Sequence, residues 1–304
     1  MKYLEHLINI ILLPLKLLSK ISYLKKLKYV VNFKFEGDIE IKIPKVNFSN
    51  TLTRSGRKKI FQSYLFTTRP TKEALLRKCI YDLYQTNYLS RDKSIIDIGC
   101  WIGDNSLVWS KMLGAGKIFA IDPIPEALEF AAEAASINEI QNIEFLDAVC
   151  SDVSNISLKS SGIQGGTYFN ETSSSEGKFK STTIDEVIAL DFHDKIDLFH
   201  VDVEGFENKV ILGAENVIKS SRPLIIFEQH ISSDDTSILV EFLKDLEYAI
   251  FMVNEVLPGC DLDCRNFIAF DANKPLPEIT NFDNSKGREN NIWFATLGPS
   301  LVKI

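Results

Sequence analysis

Apolar strands alternate with amphipathic helices between residues 94 and 246, and this alternation constrains the fold more than any other feature of the sequence. Helical patterns follow four of five short apolar segments: SIIDIG, KIFAID, NIEFLDAV, IDLFHVDVEG and RPLIIFEQH. Repeated strand–helix units form parallel sheets that are covered by helices on both faces. The segments YAIFMVNE and RNFIAFD are predicted to add antiparallel strands. The sequence therefore predicts a Rossmann-like α/β fold.

Each of the five predicted parallel strands ends in a carboxylate. A single Asp at a strand end often only caps the next helix. In a doubly wound sheet, however, ligands bind outside the carboxyl ends of the strands. The acids at these ends are Asp97, Asp122, Asp147, Asp202 with Glu204, and Glu228. Acids at all five ends predict a site for a polar ligand along this edge of the sheet.

The first turn, IIDIGCWIGDN, carries two glycines between two acids. A dinucleotide site would have G-x-G-x-x-G, whose glycines let a pyrophosphate approach the backbone, but this turn has only Gly99 and Gly103. The flanking carboxylates would repel a pyrophosphate and attract an ammonium or sulfonium group. Asp122 ends the next strand, where an acid accepts hydrogen bonds from ribose hydroxyls.

A nucleoside with a cationic tail and no phosphate is S-adenosylmethionine, which we predict as the cofactor. The predicted cofactor-binding residues are Asp97, Gly99, Gly103, Asp104, Asp122 and Asp147.

Four segments together resemble the FkbM family of S-adenosylmethionine-dependent methyltransferases over about residues 70 to 230: IIDIGCWIGDNS, IFAIDPIPEALE, TTIDEV and VDVEGFENKVILGAENVIKSSRPLIIFE. The specific part is D-V-E-G-x-E at residues 202–207, followed by the glycine of LGA and then by RP and a glutamate. The glycine-containing turn is shared with other class I methyltransferases. The resemblance implies the class I fold and O-methylation of a hydroxyl on a sugar, a glycan or a lipid-linked metabolite.

In class I methyltransferases the transferred methyl group points toward the end of the fourth strand, where Asp202 and Glu204 stand. Either carboxylate could take the proton of an acceptor hydroxyl, and the two would face the same side if the strand stays extended. His230, at the end of the fifth strand, is the histidine expected to assist. Asp202, Glu228 and His230 could also bind a divalent cation, but the resemblance requires no metal and none is expected. The family commonly has Lys before this motif, where the chain has His200.

Two alternative functions stay open at this point. One is a Rossmann-like nucleotide-sugar or NAD enzyme, which the missing third glycine disfavours. The other is a non-catalytic protein that binds a cofactor at a membrane. The net charge of −7 gives no basic signature for nucleic acid, so we expect none as a partner. Five cysteines, three of them in apolar segments, are typical of a reducing compartment, so we expect a cytoplasmic protein.

The chain divides into three predicted parts. Residues 1–30 form a basic amphipathic helical arm, residues 31–92 a hairpin and a helix that lead into the core, and residues 93–304 the methyltransferase domain. Within this domain, the polar segment at residues 159–178 is rich in Ser and Gly. It is predicted to be a mobile lid or an insertion, because it is too polar for the core and too long for a turn.

The arm carries six lysines against one glutamate in residues 1–28, a local charge of +5. Its polar residues recur at helical spacing on one face, opposite a wider face of leucine and isoleucine. No uncharged run is long enough to span a bilayer. The pattern fits attachment to the inner face of a membrane, and it equally fits packing on this protein's body or on a second subunit.

We predict that deletion of residues 1–28 releases the protein from anionic vesicles without loss of cofactor binding. The apolar face and the lysines would together hold the arm in the lipid interface. Co-sedimentation at low salt, with neutral vesicles as the control, measures this binding. If the full-length chain stays in the supernatant, the arm packs on protein instead.

Overall fold

The alternating segments form one mixed sheet in the computed structural model. The structure describes residues 32–35, 37, 39–44, 58, 73–163, 166–172, 179–255, 263–277 and 301–304. The predicted arm, at residues 1–30, lies outside them. Among the described residues, none of the helices combines the length and the hydropathy that crossing a bilayer requires.

The central sheet has eight described strands, numbered here in chain order. In spatial order they are β14 (Leu301–Lys303), β12 (Tyr248–Val253), β13 (Cys264–Asp271), β11 (Leu224–His230), β10 (Ile196–Val201), β3 (Ser94–Ile98), β4 (Ile118–Ile121) and β5 (Ile143–Leu146). The strands from β11 to β5 are parallel, and β13, β12 and β14 pair antiparallel, which confirms the predicted fold class. The strand order reverses between β3 and β10, so a crevice for ligands opens at their carboxyl ends.

Helices cover both faces of this sheet. They are α1 (Ala74–Gln85), α2 (Asp104–Ser110), α3 (Pro125–Ile137), α4 (Ile184–Val187), α5 (Glu207–Leu212), α6 (Glu215–Ser221) and α7 (Asp234–Asp245). One apolar core lies between the sheet and α1 to α3, and a second lies between the sheet and α4 to α7. α3 has proline at its first position, and the Ser233 side chain caps α7.

The sequence pattern predicts a single helix across residues 207–218. This prediction is wrong, because the structure has two helices with a break at Gly213. A Cβ atom on Gly213 would lie 2.0 Å from the carbonyl oxygen of Ser151, so only glycine fits this close approach. The second helix, α6, begins anew because the carboxylate of Asp185 accepts hydrogen bonds from the backbone N–H groups of Asn216 and Val217, both at 3.0 Å.

The polar segment at residues 159–178 contributes to a second, smaller sheet. Strands β7 (Ser157–Ile163) and β8 (Gly166–Glu171) form an antiparallel hairpin, and β9 (Phe179–Thr182) joins β7 to β6 (Val149–Cys150). Within its described residues, the segment is therefore an insertion with regular structure.

The predicted N-terminal hairpin consists of β1 (Asn32–Lys34) and β2 (Glu40–Lys42). Ile41 and Ile43 are buried in the same core as α1 to α3, and Asn138 fastens the hairpin to the end of α3. The Asn138 side chain accepts from Lys42 N at 2.7 Å and donates to Lys42 O at 2.6 Å. The hairpin therefore packs in the same core as the central sheet. The division of the chain into three parts remains a prediction.

We expect Asn138→Ala to lower the free energy of unfolding by about 1–3 kcal/mol, because the substitution removes both hydrogen bonds to Lys42 in a partly buried setting. Urea unfolding followed by circular dichroism measures the change. Asn216→Ala is the matched control, since Asn216 is an exposed helical asparagine. Equal stability of the two variants would mean that the hairpin is held by its apolar side chains alone.

Candidate active site

The glycine turn after β3 lies directly against the chain that follows β10. Gly99 has φ +76°, and a Cβ atom there would lie 1.7 Å from the carbonyl oxygen of Asp202. Gly103 has φ +74°, and its Cβ atom would lie 2.8 Å from the Cβ atom of Ala131 in α3. Both positions therefore require glycine, because the backbone has a positive φ and because a side chain would clash with its neighbour. The turn predicted to hold the cofactor adjoins the residues predicted for catalysis.

Asp97 is a buried polar link at the centre of the sheet. Its Oδ2 accepts a hydrogen bond from the Ser106 hydroxyl in α2. Its Oδ1 lies 2.8 Å from Nδ1 of His200, the neighbouring residue on β10. Burial alone would lower the pKa of His200, but the bond to Asp97 and nearby negative charges raise it above its usual 6.5. Asp97 thus orients α2 and β10, and its predicted contact with the cofactor stays a prediction.

Asp122 lies at the carboxyl end of β4, beside the glycine turn. Its two oxygens accept hydrogen bonds from Trp101 N and Ile124 N, each at 2.9 Å. Burial raises the pKa of Asp122 to about 6, although these two bonds lower it. A carboxylate oxygen has two lone pairs, so each oxygen keeps one acceptor position for a ligand hydroxyl. This geometry suits the predicted ribose contact.

The remaining predicted cofactor residues, Asp104 and Asp147, differ in their exposure. Asp104 begins α2 and is buried, whereas Asp147 follows β5 and is exposed. The negative charge of Asp147 contributes to the raised pKa of Asp122, as does that of Asp97. The structure therefore brings the predicted cofactor residues together along the ends of β3, β4 and β5.

On the other side of the crevice, Asp202 is part of a cluster of three carboxylates. One carboxylate oxygen from each of Glu73, Asp202 and Glu228 lies within 4.8 Å of the other two. Burial, followed by the negative charges of Glu228 and Glu73, raises the pKa of Asp202 well above its usual range. Glu228 also accepts a hydrogen bond from Cys264 Sγ at 2.9 Å.

Asp202 and Glu204 do not alternate along an extended strand, so that expectation is wrong. β10 ends at Val201, and Glu204 has a left-handed φ of +55°. Burial and the charge of Glu228 raise the pKa of Glu204, and His230 lowers it. A turn after β10, and not a continuation of the strand, therefore brings Glu204 near the end of β11.

The turn at residues 203–205 is held by Glu207, which the sequence analysis did not select. Its carboxylate accepts hydrogen bonds from Val203 N and Gly205 N at 3.1 Å, and from Gln229 Nε2 at 2.6 Å. Burial raises the pKa of Glu207 to about 7, although the hydrogen bonds from the backbone lower it. The motif D-V-E-G-x-E could have indicated this role, because its final acid is close enough in sequence to bind the backbone of the preceding turn.

His230 is half-exposed at the end of β11, and its Nδ1 lies 2.9 Å from Oδ1 of Asp263. Hydrogen bonds from Ser232 and then from His230 lower the pKa of Asp263 to about 2. His230 is therefore oriented by Asp263. Its predicted assistance to Asp202 and Glu204 stays a prediction.

The sequence patterns did not indicate Glu73, the third carboxylate of the cluster, or its neighbour Asn266. Glu73 immediately precedes α1, where an acid is ordinarily understood as a partner of the helix dipole. Asn266 lies on β13 directly across from Glu228, and its Nδ2 is 3.5 Å from Glu73 Oε1. Only the tertiary structure brings these residues together, since Glu73 and Asn266 are 193 positions apart.

Comparison with known proteins places this site in a family. The model of the methyltransferase FkbM domain matches residues 97–250, which is half of the chain. A ribosomal protein L11 methyltransferase of Clostridium botulinum is 34% identical over 77 residues, which cover 25% of this chain and 24% of that protein. The chain thus aligns with about a quarter of the length of this curated relative.

Two solved structures are similar over part of the chain. Methyltransferase FkbM from Methylobacillus flagellatus KT has 14% identity and a TM-score of 0.42, covering 59% of this chain and 44% of its own. The precorrin-6y C5,15-methyltransferase of Geobacter metallireducens GS-15 has 17% identity and a TM-score of 0.39, with 63% and 86% covered. The domain match confirms the resemblance carried by the sequence motifs, and the chain belongs to the FkbM methyltransferase family.

Proposed function

We propose that this protein transfers a methyl group from S-adenosylmethionine to a hydroxyl of a sugar, a glycan or a lipid-linked metabolite. The observation that carries the proposal is the division of the crevice into two adjoining parts. Asp122 and the glycine turn form one part, and the carboxylates around Asp202 form the other. The contact between Gly99 and Asp202 joins the two parts.

The residues of the first part fit the cofactor. Asp122 keeps acceptor positions for two ribose hydroxyls, and glycine at position 99 removes any side chain from the face of the turn. The acids at positions 97, 104 and 147 favour a cationic ligand over a pyrophosphate. This charge distribution supports S-adenosylmethionine over the alternative of an NAD or nucleotide-sugar enzyme.

Bound S-adenosylmethionine would supply a methyl carbon attached to a positively charged sulfur. The protein must then hold the acceptor oxygen in line with that carbon and remove its proton. Asp202 and Glu204 stand at the end of β10, where they can accept this proton. Glu207 fixes the turn that carries both, so it acts as a positioning residue.

The acceptor is proposed from the chemistry of the second part. Carboxylates accept hydrogen bonds from several hydroxyls at once, which suits a polyol such as a sugar. The same carboxylates and the net charge of −7 oppose a polyanion, so an RNA acceptor is disfavoured. A hydroxyl-bearing metabolite is therefore the acceptor that the residues favour.

We expect Asp122→Ala to weaken S-adenosylmethionine binding by about 1–3 kcal/mol, the scale of a lost polar contact in a buried site. Isothermal titration calorimetry measures the affinity. Asp191→Ala is the matched control, because Asp191 is exposed and lies outside the crevice. Unchanged affinity in the Asp122 variant would remove the ribose assignment.

We expect Asp202→Asn and Glu204→Gln to lower turnover by about 10²–10⁴-fold while cofactor affinity stays close to that of the wild type, because proton removal is lost and the cofactor contacts remain. Transfer of labelled methyl groups into glycan, lipid-linked and RNA fractions, followed by mass spectrometry of the product, measures turnover and identifies the acceptor. Near-normal turnover in both variants would show that the two acids are structural. Label only in RNA would contradict the proposed acceptor class.

A further inference from the structure

Three carboxylates converge from three different elements at the end of β10 and β11. Glu73 comes from the start of α1, Asp202 from the turn after β10, and Glu228 from β11 itself. Their nearest oxygens all lie within 4.8 Å of one another. Like charges at this separation repel each other in a partly buried setting, so the arrangement is costly unless a cation or protons balance it.

The protein places one cation, Arg77, on the α1 side of this cluster. Arg77 Nη1 lies 3.6 Å from Glu73 Oε2, and the same Nη1 is 3.1 Å from the side-chain oxygen of Asn105. The Arg77 guanidinium also lies over the ring of Phe35, 5.4 Å from its centroid. Arg77 thus supports Glu73 from the α1 side.

Asn266 supplies an independent indication of a ligand. Its side chain is only 2% exposed, and its Oδ1 has no hydrogen-bond partner in the part of the chain that the structure describes. Asn266 is the cross-strand partner of Glu228, so both side chains project from the same face of the sheet. The amide nitrogen faces Glu73 at 3.5 Å, and exchanging nitrogen and oxygen would set two acceptors against each other. A buried amide oxygen without a donor thus accompanies the three carboxylates.

We propose that Glu73, Asp202 and Glu228 bind one hard divalent cation such as Mg²⁺ or Mn²⁺, with Oδ1 of Asn266 as a further ligand. Carboxylate and amide oxygens are the ligands that these ions prefer. Oxygens bound at about 2.1 Å in an octahedron lie roughly 3.0–4.2 Å apart, so the present oxygens need to move little to enclose an ion. The sequence pattern suggested His230 as the third possible metal ligand, but Nδ1 of His230 contacts Asp263. Glu73 is the third ligand in this proposal.

The ion has a role in catalysis that rests on the proposed O-methylation, and with Asp202 as a ligand of the ion, Glu204 is the carboxylate that accepts the proton. A divalent cation that contacts the acceptor hydroxyl lowers the pKa of that hydroxyl, so the oxygen becomes a better nucleophile. It also fixes the acceptor relative to the glycine turn. Binding of the ion itself requires neither the cofactor nor the acceptor.

Titration of the full-length, chelator-treated protein with Mn²⁺, followed by electron paramagnetic resonance of the free ion, tests the proposal without an activity assay. We expect one bound Mn²⁺ per chain, a dissociation constant below about 1 mM and competition by Mg²⁺. Glu228→Gln and Glu73→Gln should each weaken binding by about tenfold or more, because each replaces a carboxylate ligand by a neutral amide. Glu241→Gln is the matched control, an exposed acid on α7 at the opposite face of the sheet.

Absence of stoichiometric Mn²⁺ binding in the wild type would overturn the proposal. So would equal affinity in Glu241→Gln and in both cluster variants, with circular dichroism showing that the variants fold. S-adenosylmethionine binding and methyl transfer are measured on the same preparation. If Mn²⁺ does not bind and methyl transfer persists in excess EDTA, the proposed cation site is wrong and the proposed function stands. Mn²⁺ binding without methyl transfer would support the cation and contradict the proposed function.

Discussion

The hydrogen bond between Asp97 and His200 joins the two central strands at the point where the strand order reverses. β3 carries the glycine turn and β10 carries Asp202, so the position of one relative to the other depends on this pair. Ser106 extends the link into α2, and Trp109 of the same helix packs edge-on against the His200 ring at 5.2 Å between centroids. Polar and apolar contacts therefore fix the same register.

His200 is also where the chain departs from the common pattern of its family, which has Lys at this position. A lysine could neutralise Asp97, but its flexible ammonium group would not pack against Trp109 as a planar ring does. The imidazole combines a directional bond to Asp97 with an aromatic contact, and both are buried. The departure thus has a structural explanation that needs no role in catalysis.

Much of the fold could be predicted because it depends on local sequence patterns. Apolar runs that end in acids gave the positions of β3, β4, β10 and β11, and the ligand edge followed from their parallel arrangement. The break at Gly213 could not be predicted, because it depends on the approach of Ser151 from another part of the chain. For the same reason Glu73 and Asn266 were missed: they lie 193 positions apart, and neither residue carries a motif of its own.

The contact between Gly99 and the carbonyl oxygen of Asp202 has a mechanical consequence. A Cβ atom at position 99 would overlap that oxygen, so the two backbones already touch and neither can move toward the other. Any ligand that presses on the glycine turn therefore pushes on the peptide that follows β10. The spacing between the two halves of the crevice is therefore set by main-chain contact at this point.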